Sequence, residues 1–183
     1  MARVPLLETK DDVAPAHHDV VDAITRSRGR IAGPFAVLLH SPELAGRAAR
    51  LGAYVRFESA LTAAQRELAI LATACAMDCA YEWAYHAPEA RKAGVASETI
   101  AAIRERRGPS AFDTEAAEIV EYARQLLTAH RADDATFTAL RARLGVPGIV
   151  ELTATIGYYA MLACTLNAFE VTPEPGTETL WNS

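Results

Sequence analysis

Three carboxylic acids, two thiols and an imidazole fall within the twenty residues from Glu67 to His86, a stretch whose Tyr81, Trp83 and Tyr85 are candidates to line a pocket. Cys79, Glu82 and His86 stand at offsets of 0, 3 and 7, so a helix starting near Cys79 sets their side chains on one face. A thiol, a carboxylate and an imidazole gathered in this way can move protons near neutral pH. Burial raises a Glu pKa towards that of His, and a Cys in the first turn of a helix is favoured as its thiolate. The same residues also have a plain structural role open to them. Glu four residues before His is a common helix-surface pair, Cys on an Ala-rich helix is usually an inert small hydrophobe, and Trp83 and Tyr85 suit a core. Glu67, beside Arg66, is equally a proton relay or a surface acid.

The elements that must position these residues are helical. Thr62-Ala-Ala-Gln65 has the form of a capping box and opens an apolar run to Met77. Asp78 interrupts the run, and a second segment from about Cys79 leads past Pro88 and stops at Gly94. Pro88 has no amide hydrogen for the Ala84 carbonyl, so this helix is expected to kink or to restart there. Apolar spacing predicts a first helix over Val13 to Arg28, ending at Gly29. Another follows from Pro42 to about Tyr54 with Ser41 as its cap, and a short one from Ser97 to about Arg106. Asp113 or Thr114 caps a helix to about His130, and Asp133 or Asp134 one to Leu144. Gly145-Val-Pro147-Gly148 then breaks into a long C-terminal helix ending near Phe169. The tail, 171–183, is expected to be extended, with Leu180 and Trp181 docking, on a neighbouring subunit if the chain assembles. Seven or eight helices and no strand make an all-α fold, and 183 residues make one domain, 1–183.

Composition excludes several partners. Of the 183 residues 51% are hydrophobic but only 7% aromatic, and 38 are Ala, a strong helix former. A formal charge of −5 with 18 dispersed Lys and Arg leaves no footprint for nucleic acid. The uncharged stretch Leu152 to Phe169 holds three threonines, Asn167 and Gly157, which suits a core helix rather than a membrane span. Met1 to Asp12 contains no signal-like apolar run, and three cysteines cannot all pair, so a cytoplasmic protein with reduced thiols is expected. His17 and His18 point to different faces, His40 and His130 sit at helix ends, and the glycines follow no phosphate-binding pattern. These residues call for no metal and no organic cofactor.

The pattern Cys79-x-x-Glu82-x-x-x-His86, followed by Ala90 and Gly94 and preceded twelve residues earlier by Glu67, resembles the carboxymuconolactone decarboxylase and AhpD-like superfamily. The resemblance covers about residues 40–105, and Gly157-Tyr-Tyr-Ala-Met161 and Asn167-Ala-Phe-Glu170 look like one subgroup of it. It implies an AhpD-like helical bundle, a trimer or hexamer with sites closed by neighbouring subunits, and Glu67, Cys79 and His86 as site residues. The redox members carry a second Cys where this chain has Glu82, whereas the lactone decarboxylases have Glu-x-x-x-His and need no cofactor. The resemblance therefore favours a lyase or isomerase acting on a small organic acid or lactone, with His86 as proton donor, Glu82 orienting it, and Cys79 or Tyr81 donating a hydrogen bond. A thiol peroxidase or disulfide reductase would have to pair Cys79 with Cys75, four residues earlier. Cys164, on the C-terminal core helix, is expected to pack. A non-catalytic helical oligomer that binds a small molecule keeps the same motif as core.

Overall fold

The computed structural model describes residues 2–181, among which eight α-helices and three short 3-10 turns account for the regular structure. The helices are α1 (His18–Arg28), α2 (Pro34–Leu38), α3 (Pro42–Phe57), α4 (Ala63–Ala76), α5 (Ala80–Lys92), α6 (Ser97–Arg104), α7 (Thr114–Thr128) and α8 (Asp134–Ala168). The all-α expectation holds.

Helix α4 begins where its sequence asks it to. The Thr62 hydroxyl accepts from the Gln65 amide at 3.2 Å, while Gln65 Oε1 accepts from the Thr62 amide at 2.9 Å, so two otherwise orphaned donors are satisfied reciprocally. Asp113 and Asp133 cap α7 and α8 by accepting from the amides three residues on. Ser41 occupies the cap of α3 without a side-chain bond, Pro42 supplying the helical φ there instead. At α6 the cap is Ala96.

A connection of only three residues joins α4 to α5. Asp78 takes φ 52°, the left-handed conformation that turns the chain sharply, and the Arg106 guanidinium pairs with its carboxylate. Helix α5 thus folds back along α4 and brings residues 19 apart into contact. Contrary to the expected kink or restart, α5 runs unbroken through Pro88, which is exposed. A kink does lie in α8, at Gly145 (φ 70°, ψ 174°), and α8 as a whole packs against α2, α3, α4, α5 and α7.

Three apolar clusters hold the bundle. The largest gathers α4, α5, α6, α7 and α8 around Trp83, which is fully buried. A second joins α1, α2 and α3 to Tyr158, Tyr159 and Leu162 of α8. The third is small and contains Cys79, Val37, Ala163 and Leu166. The C-terminal tail docks, but on its own chain: Leu180 is 2% exposed within the Trp83 cluster, Glu178 pairs with Arg91 at 2.7 Å and Glu174 with Arg30 at 2.8 Å. Leu180 is thus covered within its own chain, whereas Trp181, also expected to dock, is 46% exposed.

Candidate functional site

The α4–α5 hairpin seats His86 between two carboxyl groups. Its Nδ1 lies 2.8 Å from Glu67 Oε2 and its Nε2 lies 3.4 Å from Glu82 Oε2. All three side chains are buried, at 3% exposure for His86, 4% for Glu82 and 7% for Glu67. Glu67 is thus no surface acid; its second oxygen is 4.0 Å from Arg66 Nε. The 2.8 Å contact assigns the imidazole proton to Nδ1, donated to Glu67, which leaves the Nε2 lone pair facing Glu82. It is therefore Glu67 that orients His86, a role the spacing gave to Glu82. Burial pushes the Glu82 pKa up, and although His86 and Arg56 oppose that shift, the neutral acid is favoured. At 3.4 Å Glu82 Oε2 faces the other ring nitrogen, close enough for a proton to pass between them.

His86 and Glu82 form part of the wall of a cavity of about 90 Å³. Tyr81 and Tyr85 of α5 line it as well, as do Phe35, Arg28, Arg30 and Arg56, and Tyr158, Tyr159 and Leu162 of α8. Tyr159 meets the imidazole edge-on, ring centres 5.1 Å apart, and Tyr158 stands edge-on to Tyr159 at 5.4 Å. Burial holds the Tyr159 hydroxyl well above the ordinary phenol range, and Glu82 adds to this, so it is a neutral donor. Glycine at position 33, with φ 56°, admits the Tyr81 ring: a Cβ there would fall 2.6 Å from Tyr81 Cε1.

Three other expected site residues lie elsewhere. Trp83, one position and about 100° round the helix from Glu82, points into the largest apolar cluster and does not line the cavity. Cys79 is the cap residue of α5, fully buried in the small third cluster and absent from the cavity wall. The expected thiolate is not favoured: burial outweighs the amides of Glu82 and Tyr81 and pushes the thiol up to about 12. Cys75 belongs to a different cluster and donates to the Ile103 carbonyl at 3.2 Å, and both thiols are free. Cys164 is exposed rather than packed.

Spacing within one segment could not reveal the arginines and the α8 tyrosines, because they arrive from helices remote in sequence. The one local signal was the Tyr158-Tyr159 pair on an otherwise aliphatic helix. Both His86 nitrogens are engaged by carboxyl groups, and among the described residues no cluster of three or more His, Cys, Asp or Glu is arranged to hold a metal ion.

Comparison with known proteins agrees with this architecture. No curated protein matches the sequence. The model of the carboxymuconolactone decarboxylase family matches residues 42–125, from the start of α3 into α7. Among solved structures, an AhpD-core uncharacterized peroxidase-related protein from Ralstonia eutropha JMP134 superposes with a TM-score of 0.74 at 16% identity, covering 95% of this chain and 93% of that one. An uncharacterized peroxidase-related protein from Silicibacter sp. TM1040 gives 0.75 at 14%, covering 95% and 92%. The debrominase Bmp8, as a cysteine-to-alanine variant in complex with 2,3,4-tribromopyrrole, gives 0.76 at 15%, covering 96% and 94%. At these identities the likeness is one of fold, and it spans nearly the whole chain.

Proposed function

We propose that this chain, with a carboxymuconolactone decarboxylase-family segment on an AhpD-like fold, is a cofactor-independent lyase or isomerase acting on a small organic acid or lactone. The observation that carries this is His86, fixed by Glu67 and facing Glu82, whose pKa burial raises, at the wall of a cavity from which Cys79 is absent. When a lactone acid loses carbon dioxide, the electron pair of the broken C–C bond passes into the neighbouring carbonyl as an enolate, which takes one proton on carbon. Glu82 supplies that proton, and one proton taken up from solvent restores the pair, held on His86 Nε2 before it passes to the Glu82 carboxylate. The buried Tyr159 hydroxyl, beside His86, stabilises the developing oxyanion as a hydrogen-bond donor. For an isomerisation the same pair works in two steps, His86 Nε2 removing a proton from carbon and Glu82 returning one. Neither step needs a redox group or a metal. Thiol redox chemistry fits less well, since an attacking thiolate must be accessible, ionised and resolved by a second thiol, and Cys79 meets none of these conditions.

Carbon dioxide release from a carboxylated lactone tests the proposal. Wild-type protein is expected to turn over such a substrate and His86→Asn to lose activity by about 10²- to 10⁴-fold with its melting transition intact. Equal turnover by the two proteins would remove His86 from the chemistry.

A further inference from the structure

The cavity is lined by three arginines against one carboxyl group, in a chain whose formal charge is −5. Arg30 is neutralised by Glu174 at 2.8 Å. Arg28 and Arg56 form no ion pair among the described residues, although Arg56 lies close enough to oppose the upward shift of Glu82. Arg28 is already held in place. One of its nitrogens donates to the Ala49 carbonyl at 3.2 Å, another to Ser27 Oγ at 2.6 Å, and its guanidinium lies 4.1 Å from the centre of the Phe35 ring. Two of its five donors are thereby used and a third faces the Tyr158 hydroxyl, which leaves donors to spare.

Beside it lies an orphan. The Tyr158 side chain is 4% exposed and its hydroxyl lies beside the Arg28 guanidinium, which can only donate to it, so the buried hydroxyl has no acceptor for its own proton, a cost that native folds seldom leave standing. Both groups converge on Gly52, where an added Cβ would fall 2.2 Å from Tyr158 Oη and 2.6 Å from Arg28 Nη2. The missing side chain at position 52 is what lets the hydroxyl and the guanidinium sit together at the cavity wall. A fixed guanidinium with spare donors, a second unpaired guanidinium and an unsatisfied hydroxyl donor together present a charge-assisted site shaped for oxygen anions.

We propose that Arg28, Arg56 and Tyr158 form the subsite that receives a carboxylate of the substrate and aims its reacting carbon at Glu82 and His86. This rests on the lyase or isomerase reading above and gives it a substrate class: small acids carrying an anchoring carboxylate in addition to the reacting group. Tyr158 and Arg56 are positioning residues in this scheme, and proton transfer stays with Glu82 and His86.

Calorimetric titration with malonate, a three-carbon diacid, tests the subsite without turnover. Wild-type protein is expected to bind malonate and to ignore neutral malonamide. Arg56→Met, which keeps the apolar stem, should weaken malonate binding by about ten- to a hundredfold, and Tyr158→Phe, which removes only the hydroxyl, by about three- to tenfold. Both substitutions keep the Arg28 bonds to Ala49 and Ser27. Malonate binding that is unchanged in both variants, or absent from the wild type, would overturn the subsite. His86→Asn separates the two claims. If it binds malonate normally but all lactone-acid turnover is missing from the wild type as well, the subsite stands and the lyase reading falls. If the wild type turns over and Tyr158→Phe and Arg56→Met keep both KM and malonate affinity, the lyase reading stands and the subsite falls.

Discussion

Two faces of α5 carry residues of equal chemical promise and put them to opposite uses. On one, Cys79 and Trp83, four residues apart, are both fully buried in apolar clusters. On the other, Glu82 and His86, also four apart, are almost as deeply buried, yet they share the wall of a cavity with arginines and tyrosines. Burial alone does not distinguish scaffold from chemistry here. The difference is what each group meets: Cys79 meets aliphatic side chains that push its thiol up to about 12, whereas His86 meets a carboxylate that fixes its tautomer and an acid that can exchange a proton with it. A step of one residue, about 100° of helix, separates the two environments.

The comparison breaks most visibly at Trp83. Trp83→Ala should cost about 3–5 kcal/mol of unfolding free energy, read by chemical denaturation, because the ring is sealed in the core. Trp83→Phe should fold and keep full turnover. Loss of turnover in that variant at normal stability would move Trp83 to the cavity side.

Glu82 sharpens it through pH. Its pKa is raised in the fold, chiefly by burial, so the stability its neutral form allows is complete below the ordinary value of 4.5 and is lost as pH rises through the folded value. Glu82→Gln, neutral throughout, should therefore gain on the wild type in melting temperature as pH is raised above 4.5. A difference that stays flat over this range would mean that Glu82 is held as an anion.

The smallest effect is expected at the thiols. Of the three cysteines only Cys164 is exposed, so a disulfide reagent near pH 8 should modify one thiol rapidly, and Cys164→Ser should abolish that fast phase. Rapid modification of Cys79 in the native state would contradict its placement. One equivalent of peroxide should likewise leave no Cys75–Cys79 disulfide.

Much of the hairpin was legible because its signals are local. The Thr62–Gln65 capping box, the break at Asp78 and the Glu82-x-x-x-His86 spacing depend on neighbours within two turns, and the bundle keeps all three. Glu67 was ambiguous in sequence, since only the return of α5 along α4 decides whether it faces solvent or an imidazole 19 residues away. Trp83 was assigned to the pocket wrongly for a related reason: proximity in sequence to Glu82 says nothing about which face the core takes. Pro88 was overread as a break, because an exposed position in the last turns of α5 accommodates the lost amide. The anionic subsite was invisible, as Arg28, Arg56 and Tyr158 come from α1, α3 and α8 and meet only at the cavity wall, Arg28 and Tyr158 over the side-chain gap at Gly52. The tail's Leu180 announced that it docks but not on which chain.

The contrast between the two faces comes down to one paired assay: carbon dioxide release from a carboxylated lactone by a Cys75→Ala/Cys79→Ala double variant and by His86→Asn. If α5 works through its cavity face, the thiol-free protein retains turnover within about threefold of the wild type while His86→Asn falls by about 10²- to 10⁴-fold. Retained turnover in His86→Asn, or its loss with the two thiols in a protein that still melts cooperatively, would contradict that assignment.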